Sequence, residues 1–237
     1  MKIMPDSTRP TAYRSARFVI TLDGPAASGK TSAAKALATH LGIAFVSSGL
    51  LYRAATYLCV QQGVDVSDEA AVLGCVQRHN VVLMPEVGSD NRVHIDGDDI
   101  SAALHTDHID AHVSAVAQHP QLRAWVDQRL QALHGYFVVE GRDMGSTVFP
   151  NADYKFYLQA SAAVRARRRL DERASQGDLH SMTEAIRRRD QRDAKQLLPA
   201  ADAINLDTSE LSPPQVLAQL LSHLRPEHRL LEPNRAP

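Results

Sequence analysis

The segment GPAASGKT, residues 24–31, constrains the fold more than any other part of the chain. It matches the pattern G-x-x-x-x-G-K-[S/T], between a short β-branched run, Arg17–Asp23, and a stretch of helical periodicity that ends at Gly42. A strand, a glycine-rich loop and a helix in this order form a phosphate-binding loop, in which backbone N–H groups at the helix N-terminus surround phosphate oxygens. We therefore expect the chain to bind a nucleoside triphosphate such as ATP, with a chance glycine-rich turn as the alternative.

The loop residues have separate predicted roles toward the triphosphate. Lys30 supplies a positive charge to the β- and γ-phosphates, and Thr31 offers its hydroxyl to Mg²⁺. Asp23, the last residue before the loop, either orders a water molecule on that metal or only caps the turn, and the sequence leaves both alternatives open. The predicted triphosphate contacts are Gly24, Pro25, Ala26, Ala27, Ser28, Gly29, Lys30, Thr31 and Ser32.

Composition narrows the class of protein. With 237 residues, 44% of them apolar, the chain can bury one sizeable core and is expected to form one α/β domain with additions. A formal net charge of −1 argues against nucleic-acid binding driven by overall charge. We find neither a membrane-spanning run nor an apolar signal core, so we expect a cytoplasmic protein with no membrane partner. Cys59 and Cys75 lack the spacing of a metal or redox site, and reduced thiols are expected.

Strands alternate with helices along most of the remaining sequence, which predicts a parallel sheet covered by helices on both faces. The predicted strands after the loop are residues 136–140, 153–159 and 202–208. The predicted helices after that of the loop are residues 47–63, 67–79, 107–118, 120–135, 161–175, 181–192 and 213–224. Two alternating runs, 81–86 and 92–96, predict an inserted β-hairpin. Residues 1–15 and 226–237 are expected to be loose termini.

The charged segment EGRDMG, residues 140–145, follows a predicted buried strand. In motor and switch ATPases an acidic residue at such a strand end holds Mg²⁺, but here Arg142 stands beside Asp143 and would repel the metal. An arginine is better suited to hold an anionic substrate through two parallel hydrogen bonds. The pair therefore favours phosphoryl transfer to a small phosphorylated acceptor, with an exposed turn or a local ion pair as the alternative.

Six stretches together resemble one family, the bacterial cytidylate (CMP) kinases. They are ITLDGPAASGK, SSGLLYRAA, VSAVAQHPQLRAWV, EGRDMGSTVFPNADYKFYL, RRRDQRD and PAADAINLDTSELS. The resemblance implies an α/β fold in which a P-loop parallel sheet is flanked by helices, with a nucleoside-monophosphate-binding insertion and an arginine-rich lid. The implied domains are a P-loop core (16–58, 134–160 and 196–225), a CMP-binding domain with the β-insert (59–133) and a lid (161–195).

The resemblance also implies a set of contacts with CMP. Arg53 and Arg142 match arginines that hold the CMP phosphate, while Arg189 and Asp193 match residues near the ribose. The residues that match the surroundings of the cytosine are Ser48, Ser114, Arg123 and Asp143. The expected catalytic residues are Lys30, Arg142 and Arg189, and Thr31 is the expected metal ligand.

One position departs from the family. A further phosphate-binding arginine usually follows the aspartate that Asp193 matches, whereas this chain has Gln196 at or near that position. Lys195 and Arg192 are the candidates to replace the missing arginine.

The residue types expected around the base favour cytosine over uracil. Cytosine presents an exocyclic amine, from which a carboxylate such as Asp143 accepts a hydrogen bond. Uracil presents a carbonyl instead, so a buried carboxylate would face another acceptor at a cost of about 1–3 kcal/mol. We therefore expect CMP, and by resemblance dCMP, well ahead of UMP.

The two arginine-rich helices are expected to fold over the phosphates, which neutralises charge and excludes water. Arg165, Arg169 and Arg189 are the expected contacts. A solvated basic face is the alternative, and it is favoured for Arg168, Arg173, Arg187 and Arg188. Interleaved acidic residues and the lack of nearby aromatic residues argue against nucleic acid as the partner.

The expected activity is the transfer of the γ-phosphoryl group of ATP to CMP and dCMP, with Mg²⁺, in pyrimidine nucleotide metabolism. A monomer is expected, as is typical of the family. The alternatives are a kinase for another monophosphate or an alcohol, and a regulatory module that hydrolyses ATP slowly. The presence of Arg53, Arg142 and Asp143 distinguishes a kinase from a regulatory module. An acceptor site needs these residues, whereas a switch module does not. His108 and His112 are four residues apart without an evident third ligand, so no metal role is expected for them.

Overall fold

Five parallel strands form the central sheet of the protein, whose computed structural model describes residues 17–172 and 177–229. The strands are β1 (Arg17–Asp23), β2 (Ala44–Ser47), β6 (Gly135–Glu140), β7 (Tyr154–Gln159) and β8 (Ile204–Asp207). Their spatial order is β2-β6-β1-β7-β8, and every neighbouring pair runs parallel. The central strand β1 leads directly into the phosphate loop, so the loop lies at the carboxyl end of the sheet, where ligands of such folds bind.

Helices cover both faces of this sheet, as the alternation of elements predicts. They are α1 (Lys30–Leu41), α2 (Gly49–Gln61), α3 (Glu69–Gln77), α4 (Asp107–Val116), α5 (Pro120–Gln131), α6 (Ala162–Glu172), α7 (Leu179–Arg192) and α8 (Pro213–His223). Alternate residues of β1 enter different cores: Ile20 and Leu22 belong to the core with α1 and α8, and Val19 to the core with α2 to α5. Because β1 is buried on both faces, its sequence is mainly apolar between Phe18 and Leu22.

A small antiparallel sheet is inserted between α3 and α4. It consists of β3 (Val81–Met84), β4 (Arg92–Ile95) and β5 (Asp98–Asp99), in that order. The predicted hairpin is confirmed, whereas β5 was not predicted because two aspartates give no strand pattern. The edge strand β2 of the main sheet was also missed, since its four residues directly follow a helix stop.

The arginine-rich region forms the helices α6 and α7, which pack against each other. Helix α7 begins at Leu179, two residues earlier than predicted, because the Asp178 side chain caps it by accepting from the N–H groups of His180 and Ser181. Arg173 lies outside the described residues.

The start of the C-terminal tail packs onto the domain, so the prediction of a loose tail is wrong for residues 226–229. A short 3₁₀ turn, Pro226–His228, places the His228 ring 5.0 Å from the Phe18 ring and its Nδ1 2.8 Å from the Tyr154 hydroxyl. Aromatic packing thus fixes a segment whose polar composition indicates a free end. The rest of both predicted loose termini lies outside the described residues. None of the described helices combines the length and apolar character needed to cross a membrane.

Candidate active site

The phosphate loop has the backbone conformation that its glycines allow. Gly24 and Gly29 have φ angles of 143° and 89°, and a Cβ atom on Gly24 would lie 2.0 Å from the Leu158 carbonyl oxygen. The loop curls around the buried side chain of Lys30, whose Nζ donates to the Pro25 carbonyl at 2.6 Å. The loop thus surrounds the amine of Lys30 at the N-terminus of α1, where a bound phosphate gains from the helix dipole.

The protonation state of the Lys30 amine depends on whether a triphosphate is bound in the loop. Burial lowers the pKa of its amine to about 7, and the positive charge of Arg142 adds to the effect, while Glu140 and Asp23 oppose it. A bound triphosphate is an opposite charge at close range, so it restores the protonated form. The charge of Arg142 acts on the Lys30 amine, and Arg142 lines the cavity described below, so the phosphate loop lies beside that cavity.

Asp23 caps the turn after β6. Its two carboxylate oxygens accept hydrogen bonds from the backbone N–H groups of Met144 at 2.8 Å and Gly145 at 2.7 Å. Burial raises the pKa of Asp23 to about 6, and these two hydrogen bonds oppose that rise. Asp23 therefore caps the turn after β6 rather than the loop turn that follows it in sequence, and its role toward a Mg²⁺-bound water stays a prediction. Gly145 is needed for this approach, since its Cβ would lie 2.7 Å from the Thr21 Oγ1.

A cavity opens beside the loop, between the end of β6 and helices α2, α4, α5 and α7. All eight residues that the resemblance assigns to CMP line it, namely Ser48, Arg53, Ser114, Arg123, Arg142, Asp143, Arg189 and Asp193. They come from five separate parts of the sequence, so the fold alone brings them together.

One side of the cavity holds a buried acid and its arginine partner. Asp143 is 7% exposed, and its Oδ2 accepts from Arg123 Nη2 at 2.5 Å. Arg123 also donates to the Ala117 carbonyl at 3.3 Å, and its guanidinium lies 5.6 Å from the centre of the Tyr52 ring. Ser48 is fixed nearby because its hydroxyl donates to the Glu140 carbonyl at 2.8 Å. This side of the cavity has a fixed carboxylate and hydroxyl groups that can form hydrogen bonds with a polar heterocyclic ring.

The other side concentrates positive charge. Arg142 Nε donates to Asp193 Oδ2 at 3.4 Å, and Arg189 Nε lies 3.7 Å from the same oxygen. Burial, and then the charge of Arg142, lower the pKa of Arg189 to about 10. Arg53 adds a further cation, held by the Leu104 carbonyl at 2.8 Å. Arg142 and Asp143 are adjacent in sequence but contact different partners. The arginines on this side of the cavity can bind an anion.

The sequence patterns do not predict several residues that line the cavity. Tyr52, Gln118, Glu140 and Met144 also line the cavity. Tyr52 lies on α2, four residues after the N-cap residue Ser48, but this spacing is equally typical of core residues, so the sequence carried no distinguishing signal for it. The Tyr52 hydroxyl is buried and has no hydrogen-bond partner among the residues that the structure describes.

Two arginines of α6 contact the phosphate loop. Arg165 donates to the Ala26 carbonyl at 3.2 Å and pairs with both oxygens of Asp190, at 3.0 and 2.5 Å. Arg168 donates to the Ser28 carbonyl at 3.4 Å, so the prediction that it belongs to a solvated face is wrong. Arg168 was misjudged because helical spacing alone does not show where α6 meets the loop. Arg187 and Arg188 are exposed, as predicted.

Gln196 occupies the position where the family usually has an arginine. It lines the cavity, and its Oε1 is buried and has no hydrogen-bond partner within the described part of the chain. Lys195 and Arg192 are both exposed, and neither lines the cavity. In this arrangement neither of the two candidate replacements reaches the cavity.

The residues near the loop fit the expected Mg²⁺ only if the triphosphate supplies most of its other ligands. Thr31 is exposed at the first turn of α1, so its hydroxyl is accessible. The described residues contain no group of three His, Cys, Asp or Glu side chains that could hold a metal. Mg²⁺ commonly keeps several waters and takes most other ligands from substrate phosphates, which is compatible with one hydroxyl from the protein.

Comparison with known proteins agrees with this geometry. The family model for cytidylate kinase matches residues 20–226. The chain is 46% identical over 209 residues to the cytidylate kinase of Thermus thermophilus, covering 88% of this chain and 99% of that protein. It is 46% identical to that of Deinococcus deserti (87% and 99% covered) and 36% identical to that of Bacillus licheniformis (86% and 95% covered). With its phosphate loop, its arginine-lined cavity and this similarity over nearly the whole chain, the protein belongs to the cytidylate kinase family.

Proposed function

We propose that this protein transfers the γ-phosphoryl group of ATP to CMP and dCMP, with Mg²⁺, and releases CDP or dCDP and ADP for pyrimidine nucleotide metabolism. The observation that carries the proposal is that the buried Lys30 amine adjoins a cavity with arginines on one side and the buried Asp143 carboxylate on the other. We further propose that it acts as a cytoplasmic monomer.

The donor binds through the phosphate loop. Residues 24–32 supply backbone N–H groups, and Lys30 neutralises charge on the β- and γ-phosphates. The Thr31 hydroxyl would hold Mg²⁺, which would supply further charge neutralisation to the triphosphate. Arg165 and Arg168 extend from α6 to the loop and close the donor site from the lid side.

The acceptor binds in the adjoining cavity with its base toward Asp143. The carboxylate accepts a hydrogen bond from the cytosine amine, and Arg123 donates to the acceptor atoms of the ring while it holds Asp143 in place. Ser48 and Ser114 complete the surroundings of the base. Asp193 lies near the ribose of the bound acceptor.

Alignment and charge neutralisation account for most of the catalysis. Arg53 and Arg142 hold the CMP phosphate, and Arg142, Arg189 and Lys30 neutralise the charge that spreads over the transferring group. The phosphate of CMP is already anionic near neutral pH, so its oxygen attacks without a general base. Closure of α6 and α7 excludes water that would otherwise hydrolyse ATP.

A turnover assay with an acceptor panel tests the proposal. Purified protein receives ATP and Mg²⁺ with CMP, dCMP, UMP, AMP or no acceptor, and ADP release is followed by a coupled assay. We expect rapid ADP release only with the cytidine nucleotides, and formation of CDP and dCDP by chromatography. Equal ADP release without an acceptor would instead indicate an ATP-hydrolysing regulatory module, and preference for another acceptor would indicate a different kinase.

A further inference from the structure

The carboxylate of Asp110, on α4, contacts arginines from two different parts of the protein. Arg53 of α2 donates through Nη2 to Asp110 Oδ1 at 2.5 Å. Arg169 of the lid helix α6 donates through Nη2 to Asp110 Oδ2 at 3.2 Å. The acceptor-side arginine and the lid are therefore linked through one acidic side chain.

The position of Asp110 indicates an indirect role. Arg53 lines the acceptor cavity, but Asp110 and Arg169 are not among its lining residues. The other Arg53 nitrogen, Nη1, is fixed by the Leu104 carbonyl at 2.8 Å, so Asp110 and Leu104 together hold the guanidinium plane. The Arg53 and Asp110 side chains are only 17% and 20% exposed, which reduces the solvent screening of this pair.

We propose that Asp110 is a positioning residue for the phosphoryl acceptor, and that it couples Arg53 to the lid through Arg169. This inference rests on the proposed function, because it takes Arg53 to hold the acceptor phosphate. A lid arginine that does not reach the cavity then influences the affinity for CMP, since it helps to keep the Asp110 carboxylate and therefore Arg53 in place. A carboxylate that does not line the cavity thus joins acceptor binding to lid position.

The test compares three variants by steady-state kinetics. Arg169→Gln removes the lid contact, Asp110→Asn removes the charge, and the double variant removes both. We expect the KM for CMP to rise about threefold in Arg169→Gln and about tenfold in Asp110→Asn, with the KM for ATP unchanged within about twofold. The double variant is expected to match Asp110→Asn, because the arginine acts through the carboxylate.

A matched control isolates the contact that matters. Arg169 also pairs with Glu172 on its own helix at 3.7 Å, and Glu172→Gln removes that pair without touching Asp110. The control is expected to keep the wild-type KM for CMP. A rise in KM for CMP in the control equal to that of Arg169→Gln would overturn the coupling.

Two further outcomes would also overturn the inference. One is an unchanged KM for CMP in Asp110→Asn, and the other is a double variant in which the two single effects multiply. These results are distinct from failure of the proposed function, in which the wild-type protein itself would not phosphorylate CMP. Should Asp110→Asn fold poorly, Arg169→Gln alone decides, because its side chain is 31% exposed on the lid surface and its loss leaves the core intact.

Discussion

Replacement of Asp143 by asparagine should convert a cytosine-selective site into one that tolerates uracil. The native carboxylate is 7% exposed and held at 2.5 Å by Arg123, so it cannot turn away from an unsuitable base without leaving that partner. A carboxylate accepts strongly from the cytosine amine, whereas an amide oxygen accepts more weakly. The amide nitrogen, in contrast, can donate to the carbonyl of uracil, which the carboxylate repels.

The magnitude follows from these two changes. Loss of charge assistance costs CMP about 1.4 kcal/mol, and relief of the acceptor–acceptor contact favours UMP by about 1.4 kcal/mol, each about tenfold. The ratio of kcat/KM for CMP to that for UMP is therefore expected to fall about a hundredfold in Asp143→Asn. The coupled ADP-release assay with each acceptor measures the ratio, and an unchanged KM for ATP shows that the donor site is intact.

Asp127→Asn is the matched control for this experiment. Asp127 also interacts with Arg123, and burial raises its pKa to about 6, but it does not line the cavity. The control removes a neighbouring acid group without changing the contact with the base, so its selectivity is expected to stay within about threefold of wild type. The reasoning would be refuted if Asp143→Asn kept the wild-type ratio, or if Asp127→Asn lowered the ratio as much.

Three other predictions concern the donor site and the turn after β6. At pH 8, ATP binding should take up about one proton, because burial lowers the Lys30 pKa to about 7 and the triphosphate restores its charge; at pH 6 Lys30 is already charged. Calorimetry in buffers of different ionisation enthalpy measures this, and no greater uptake at pH 8 than at pH 6 would contradict it. Arg168→Gln should raise the KM for ATP about threefold and leave that for CMP unchanged, since Arg168 contacts the Ser28 carbonyl; equal changes in both constants would count against this placement. Gly145→Ala should lower the free energy of unfolding by about 2 kcal/mol, because its Cβ would crowd the Thr21 hydroxyl; a loss under about 0.5 kcal/mol in denaturant titration would argue that the turn relaxes.

Much of the site can be predicted from the sequence because several of its residues belong to short continuous motifs. The phosphate loop is read from one continuous motif, and Arg142 with Asp143 is conspicuous because two opposite charges follow an apolar strand. The strands β1 and β6 are visible because burial on both faces demands largely apolar runs. The strand β2 was not predicted because its four residues follow closely on the helix stop at Gly42.

The remaining features depend on contacts between distant segments. Arg168 looks like part of a solvated helix face until α6 is packed on the loop, where it meets Ser28. Asp110 likewise appears as one acidic residue in a polar helix, and only the fold places it between Arg53 and Arg169. Tyr52 has a helical spacing to Ser48, but the same spacing serves core residues equally well. Such roles cannot be read from composition or periodicity, because they are set by which elements the topology brings together.

The central claim, that two nucleotides meet in one cleft, is tested most directly with a single molecule that joins adenosine and cytidine through five phosphates. If the phosphate loop and the arginine-lined cavity adjoin as described, this compound spans both and gains from the linkage of its two halves. Steady-state inhibition is then expected to be competitive against both ATP and CMP, with an inhibition constant far below either KM. Competition with ATP alone, at an affinity no better than that of ATP itself, would contradict the account.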